Sequence, residues 1–244
     1  MKFAIISDLH ANLDALETVL DHAGDLPILC LGDLVGYGAQ PNEVIDIVRS
    51  RAIHTIMGNH DLACADGTGA EDFNPRARES VIWTNRQLTQ TNIDWLLSLP
   101  YTITQPTFTL VHGSPDRPEM FWYVCDRWDA KCAFDASPDE LTFVGHSHIP
   151  GIFELRPDGI TVTQIAGDRE ISLIGLDHGA RYIVNVGSIG QPRDKDPRAS
   201  YVVYDDAERT VTWHRIKYNI KAAQKKIRAT SLPPTLADRL ARGE

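Results

Sequence analysis

The chain has 244 residues, 43% hydrophobic and 23% charged, with 33 acidic against 24 basic side chains and a formal net charge of -9. A chain of this length buries roughly 70–75% of its unfolded surface without disulfides or a structural metal, and the composition excludes wholesale disorder, collagen and coiled coil. Such an acidic surface repels nucleic-acid backbones, so a nucleic-acid duplex is excluded as a partner, and an anionic substrate would need a local positive centre.

The first apolar run, residues 3–6, ends at Ser7-Asp8 and reads as a buried strand. A helix is predicted next, with Asn12 as its N-cap and Leu13, Leu16 and Leu20 on one face. Residues 27–31 form a second run, stopped by Gly32-Asp33. Another helix begins near Pro41 with Val44, Ile45 and Val48 turned inward, and residues 52–57 form a third run broken by Gly58-Asn59. This alternation predicts parallel βαβ units, whose ligands gather beyond the carboxyl ends of the strands. Residues 75–97 read as helical, with Pro75 at a first helical position and Val81, Trp83, Leu88 and Leu96 as core or lid residues. Beyond Pro100, short runs at 107–112, 141–145, 160–165, 171–176, 182–186, 201–204 and 210–216 predict a second, largely antiparallel portion. Residues 219–228 read as a further helix, separated by Leu232-Pro233-Pro234 from a short terminal segment. With no internal repeat or linker, residues 1–244 are read as one domain carrying a C-terminal helical segment at about 219–244.

Cys30, Cys64, Cys125 and Cys132 form no C-x-x-C pair and read as buried thiols of a reducing compartment. The N-terminal apolar run is too short for a signal peptide, and no stretch approaches the ~18 apolar residues of a membrane span. The expected location is the cytoplasm, with no membrane partner.

Five polar clusters follow apolar runs directly: Asp8-Leu9-His10, Gly32-Asp33, Gly58-Asn59-His60-Asp61, His112-Gly113 and Gly145-His146-Ser147-His148. In extended backbone, residues i and i+2 project to the same side, so Asp8 with His10, and His146 with His148, would each aim two ligands at one centre. Each cluster alone is commonplace as a loop, cap or core feature. Together they offer two carboxylates, four imidazoles and one carboxamide, too many for one ion and about right for two if a carboxylate bridges. Mixed imidazole and oxygen ligation suits Mn²⁺, Fe or Zn²⁺ better than Mg²⁺. Two divalent ions bring roughly +4, from which two carboxylates and a hydroxide remove about 3, leaving a positive centre for a phosphoryl group.

These five clusters, in this order, resemble the calcineurin-like metallophosphoesterase superfamily over most of the chain. The segments Leu31-Gly32-Asp33-Leu34-Val35-Gly36-Tyr37-Gly38 and Asn185-Val186-Gly187-Ser188-Ile189-Gly190-Gln191-Pro192-Arg193-Asp194 are similar to a bacterial branch with diadenosine-tetraphosphate hydrolase-like and phosphodiesterase-like members. The resemblance implies an α/β fold, a four-layer α/β/β/α sandwich of two mixed sheets with a dinuclear metal site at the strand carboxyl ends. It implies that Asp8, His10 and His148 hold one ion, that Asn59, His112 and His146 hold the other, and that Asp33 bridges both. The cofactors it implies are two divalent ions, Mn or Fe foremost, with Zn, Ni or Co as alternatives. His60 matches the family's catalytic histidine, which donates a proton to the leaving oxygen or binds phosphoryl oxygens while a metal-bridging hydroxide attacks phosphorus. Ala11 stands where many relatives have glycine, a small-for-small change. Gly36-Tyr37 occupies the stretch where protein phosphatases carry an Asp and an Arg, which argues against a phosphoprotein substrate and leaves the orienting partner of His60 open. Asp61 is a candidate for that role by adjacency alone.

Outside the metal set, Tyr37 and Arg193 are candidate substrate contacts, Arg193 through its planar guanidinium. Asn12 is a helix cap or a substrate contact. The glycines at 32–38 lack the Lys-Ser/Thr of a P-loop. Met120, Phe121, Trp122, Tyr123 and Trp128 read as core or a homodimer interface ahead of a nucleobase platform. Lys221, Lys225, Lys226 and Arg228 read as a solvated helix face. The expected function is hydrolysis of a small phosphodiester or dinucleoside polyphosphate, a nucleotide among the candidate substrates. The alternatives are a phosphomonoesterase and a non-catalytic scaffold of the same fold.

Overall fold

The computed structural model describes residues 1–165 and 169–244. Lys2–Ile6 (β1) divides its side chains between two cores, Ala4 and Ile6 entering one and Phe3 and Ile5 the other, as the two-residue period of a strand requires. Leu13–Ala23 (α1) follows, with the Asn12 side chain accepting from the Ala15 amide at 3.3 Å as its cap. Ile28–Cys30 (β2), Pro41–Ser50 (α2) and His54–Thr55 (β3) complete a parallel run in which β2 lies between β1 and β3. The third predicted strand is therefore shorter than its apolar run.

Asn59–Asp66 (α3), Pro75–Gln87 (α4) and Gln90–Leu97 (α5) come next. The single helical stretch expected at 75–97 is two helices. The first ends at Leu88, and the Thr89 hydroxyl accepts from the Asn92 amide to start the second. Thr102–Thr104 (β4), Thr109–Val111 (β5), Arg127–Ala136 (α6), Leu141–Val144 (β6), Gly151–Arg156 (β7), Gly159–Gln164 (β8), Ile171–Gly175 (β9), Arg181–Asn185 (β10), Ala199–Asp205 (β11) and Thr210–Ile216 (β12) follow. Ile220–Arg228 (α7) and Pro234–Leu240 (α8) close the chain. Asn219 caps α7 as an N-cap residue should, its side chain accepting from the Ala222 amide.

Two six-stranded mixed sheets result, in the orders β3-β2-β1-β11-β12-β9 and β4-β5-β6-β10-β7-β8. The strands beyond residue 100 are thus no separate antiparallel portion. β11 pairs antiparallel with β1, Ile5 opposite Val202, and carries β12 and β9 into the first sheet. In the second sheet β5, β6 and β10 are parallel. Ile5, Leu31, Phe143, Val184, Tyr204 and Trp213 fill the space between the sheets, and the Trp213 indole N–H donates to the Asn185 carbonyl across it at 2.9 Å. α1, α2 and α3 pack outside the first sheet and α6 outside the second, through Ala130, Ala133 and Phe134. The architecture is the four-layer α/β/β/α sandwich.

Three local expectations need correction. Cys30 and Cys64 are buried, but Cys125 and Cys132 are exposed, because they lie on and before the surface helix α6. Met120, Trp122, Tyr123 and Trp128 join no core and stay exposed, Trp128 at 74%. Lys226 leaves the solvated face of α7 to pair with Asp14 of α1 at 2.8 Å. Among the described residues, no helix is long and apolar enough to cross a membrane.

Candidate metal centre

All five polar clusters lie at the carboxyl ends of the two parallel strand triplets. Asp8 and His10 follow β1, Asp33 follows β2, and Asn59 and His60 open α3 just after β3. His112 follows β5, His146 and His148 follow β6, and Gln191 and Arg193 lie beyond β10. The loops are stitched to one another through their backbones. The amides of Asp8, His10 and Ala11 donate to the carbonyls of Gly32, Asp33 and Leu34. The Ile189 and Gly190 amides donate to the carbonyls of Ser7 and Asp8.

The ligand-type atoms of Asp8, His10, Asp33 and His148 lie within 4.8 Å of one another, and so do those of Asp33, His112 and His146. Asp33 belongs to both groups. Its Oδ1 accepts from the His60 amide at 2.8 Å. Its Oδ2, which has no hydrogen-bond partner among the described residues, lies 3.7 Å from His10 Nε2 and 3.4 Å from His112 Nε2. Asp8 is arranged likewise. Oδ2 accepts from the His146 amide at 3.1 Å, while Oδ1 has no hydrogen-bond partner among the described residues and lies 3.1 Å from His148 Nε2.

Hydrogen bonds behind the rings set the tautomers. Nδ1 of His10, His112 and His148 donates to the carbonyls of Val35, Leu31 and Gln191 at 2.9, 2.7 and 2.6 Å. A carbonyl only accepts, so each Nδ1 carries the proton, and the neutral rings of His10 and His148 present their Nε2 lone pairs to the site; at His112 burial is outweighed by the Asp33 charge, which raises its pKa to about 9. His10 and His148 then face each other with their Nε2 atoms 3.1 Å apart. Burial, and the repulsion between the two rings, hold His10 well below the usual imidazole range. Burial and the Arg193 charge do the same to His148. Two lone pairs at that distance are favourable only with a cation between them. Together with the orphaned oxygens of Asp8, Asp33 and Asn59, each costing about 1–3 kcal/mol if left unmet, this donor set fits divalent metal ions.

The ligands do not converge as i, i+2 neighbours of extended backbone. Asp8, His10, Asp33, His146 and His148 have φ of 55°, 46°, 53°, 63° and 61°, all in the left-handed region, a strain that functional sites commonly store. His146 and His148 consequently point into adjoining groups and not at one centre. Glycine is required beside them, because a Cβ on Gly145 would collide with Ser7 Oγ and Asp8 Oδ2.

His60 sits on the second residue of α3. Its ring stacks on Phe73 at 4.6 Å and packs against Tyr37 at 4.5 Å and His10 at 5.0 Å. Burial, opposed by the Asp33 charge and aided by that of Arg193, takes its pKa down to about 4. Nδ1 of His60 has no hydrogen-bond partner among the described residues, so aromatic walls and the close backbone of Gly36 hold the ring. Asp61 does not orient it. Its carboxylate accepts from the amides of Asp33, Leu34, Val35 and Gly58 at 2.8, 2.8, 3.3 and 3.1 Å. Asp61 therefore staples the Asp33 loop to α3, a role that adjacency in sequence could not signal.

Tyr37 and Arg193 line a cavity of about 170 Å³ with Asp33, Asn59, His60, His146 and His148. Asn12 is not brought there. Its Nδ2 donates to the Gly190 carbonyl at 3.0 Å and the Tyr218 hydroxyl at 3.2 Å. Tyr123 stacks on His146 at 3.9 Å and lines the same cavity. So does Arg239 of α8, a residue that no local pattern distinguishes from any other helix-surface arginine.

Residues 1–209 match the calcineurin-like phosphoesterase superfamily domain, and the chain belongs to that family. The class this defines is a metal-dependent phosphoesterase, a hydrolase of phosphoric esters, whose fold implies a dinuclear divalent metal site. An uncharacterized protein of Methanocaldococcus jannaschii is 35% identical, over 97% of this chain and 96% of its own length. The crystal structure of a metallophosphoesterase from Sphaerobacter thermophilus is 40% identical with a TM-score of 0.87, covering 100% of this chain and 99% of that one. A hypothetical protein of Pyrococcus horikoshii OT3 shares the fold at 19% identity, with a TM-score of 0.78 over 100% of this chain and 98% of its own.

Proposed function

We propose that the chain hydrolyses a small phosphodiester or dinucleoside polyphosphate at the edge where the strand triplets meet. Asp8, His10 and His148 would hold one divalent ion, Asn59, His112 and His146 a second, with Asp33 shared. The observation that carries this reading is Asp33 Oδ2, unpartnered among the described residues, buried and within 3.7 Å of imidazole nitrogens from both groups. The imidazole-rich donor set supports Mn or Fe over Mg. Bound there, the ions supply electrophilic charge toward phosphoryl oxygens and an acidified water.

The chain's own residues do the rest. His60, held by Phe73 and Tyr37 at the cavity wall, is placed to bind a phosphoryl oxygen or protonate the leaving oxygen. Arg193 offers a guanidinium to phosphate. A second cavity of about 390 Å³ shares Asn59, Phe73, Tyr123 and His146 with the centre and adds Met120 and Phe121. Glu71, Asp72 and Glu119 also line it, and its size and aromatic side chains suit an organic leaving group such as a nucleoside. All four cysteines are unpaired, which supports a reducing cytoplasmic setting.

The test is hydrolysis of bis(p-nitrophenyl) phosphate, diadenosine polyphosphates and p-nitrophenyl phosphate by Mn²⁺-loaded protein and by His60→Ala. The His60→Ala variant is expected to lose about 10²–10³-fold in kcat with its metal content intact. Equal, near-blank rates for both proteins would assign a scaffold. Turnover of the monoester far above every diester and anhydride would assign a phosphomonoesterase.

A further inference from the structure

Two guanidiniums reach the cavity over the metal centre. Arg193 and Arg239 both line it, and both guanidiniums lie against the ring of Tyr37, with Cζ 5.7 and 6.0 Å from its centroid. The same ring touches His60 at 4.5 Å and His10 at 4.8 Å. Tyr37 thus stands between the candidate metal ligands and the two arginines. Among the described residues, no acidic side chain is in ion-pair contact with either guanidinium. Arg193 donates to Gln191 Oε1 at 2.9 Å and to the Tyr37 hydroxyl at 3.4 Å. Arg239 donates Nε to the main-chain oxygen of Glu244, and its two terminal nitrogens have no protein partner among the described residues. Burial and the adjacent Arg193 charge lower the pKa of Arg239, and the Glu244 charge opposes them. Asp72 is the other carboxylate lining the cavity besides Asp33.

Arg239 is held in place by design of the fold. Leu236, Ala237 and Leu240 of α8 are buried against Tyr37, Ala77, Ala223 and Ile227, which leaves Arg239 on the face toward the cavity. α8 lies beyond residue 209, where the match to the family domain ends. A segment outside the shared domain therefore supplies one wall of the site. Adjacent guanidiniums, that of Arg239 with both terminal nitrogens unpartnered among the described residues, are suited to the oxygens of a phosphate by bidentate hydrogen bonding.

We propose that Arg193 and Arg239 form a subsite for a second phosphoryl group, linked to the one at the metal centre, so that the chain selects condensed phosphates over esters with a single phosphorus. This rests on the phosphoesterase reading above and names the substrate class within it. Arg239 is the specificity-determining residue, and Arg193 serves both phosphoryl positions.

The test compares binding of adenosine 5′-(α,β-methylene)diphosphate and AMP to Mn²⁺-loaded protein by calorimetry, alongside kcat/KM for diadenosine polyphosphate and bis(p-nitrophenyl) phosphate. Wild type is expected to hold the methylene diphosphate about ten-fold or more tightly than AMP. Arg239→Gln should cut that preference below about three-fold, and Arg239→Lys, which keeps the charge, should fall between. Arg209→Gln, an arginine outside the cavity that pairs with Glu140, should match wild type. Thermal melting of each variant checks the fold. A wild type without the preference, or Arg239→Gln with it intact, overturns the proposal. A preference that Arg239→Gln abolishes, in a protein that hydrolyses nothing, supports the subsite and defeats the hydrolase assignment. Turnover of esters with no Arg239-dependent preference does the reverse.

Discussion

β1 passes within two residues from one environment to its opposite. Ile5 and Ile6 are fully buried among apolar neighbours, and the largest side chains between the sheets, Trp213, Tyr204 and Phe143, are as dry. The one polar atom of the Trp213 side chain is satisfied by the Asn185 carbonyl. Just past the strand ends, Asp8 and Asp33 are equally buried at 0% and 1% exposure, yet each keeps an oxygen without a partner among the described residues. Backbone strain separates the two regions as well, since the left-handed non-glycine residues at the site lie in the loops and none in the strands feeding them. Dry, satisfied packing in the sandwich supplies the stability, and the edge uses it to hold charges and strained loops in an arrangement that only a cation completes.

Substitutions on either side should break different properties. Asp33→Asn is expected to lower phosphoesterase turnover by about 10³-fold or more and to take bound metal below two ions by elemental analysis. A variant that keeps both ions and its rate would show that the shared carboxylate is not the centre of the site. Trp213→Ala should do the reverse, costing about 3–5 kcal/mol in denaturant unfolding with little change in kcat per folded molecule. A loss of rate without a loss of stability would mean that core and edge are not separable.

Asp61→Asn sits on the border, since its carboxylate binds four backbone amides of the Asp33 loop and α3. Metal affinity measured against a competing chelator should weaken about 10–100-fold. An unchanged affinity would reduce Asp61 to a helix-start residue. The smallest effect lies far from the centre, where His214 stacks on Tyr201 at 5.1 Å and faces His22 at 5.3 Å. Burial, with His22 beside it, lowers the His214 pKa from 6.5 to about 4. The unfolded chain binds the extra proton between those values, so this group's contribution to stability is present above pH 6.5 and is lost as pH falls toward 4. His214→Phe should flatten the stability slope across that window in unfolding titrations while leaving metal binding alone; an unaltered slope would remove His214 as its cause.

The amino-acid sequence by itself determined the strand-then-ligand rhythm, the N-cap Asn12, the parallel first units and the set of seven metal-type side chains. Each of these is written in neighbouring residues: an apolar run, a capping side chain, a polar cluster at the run's end. Tertiary structure alone decided that β11, β12 and β9 extend the first sheet, that the ligand-type side chains converge from left-handed loops and not from extended backbone, that Asp61 braces a loop and not His60, and that α8 brings Arg239 to the cavity. The physical reason is the same in every case. Strand order, left-handed loop geometry and the docking of a late helix depend on contacts between residues far apart in the chain, whose free energy no local pattern contains.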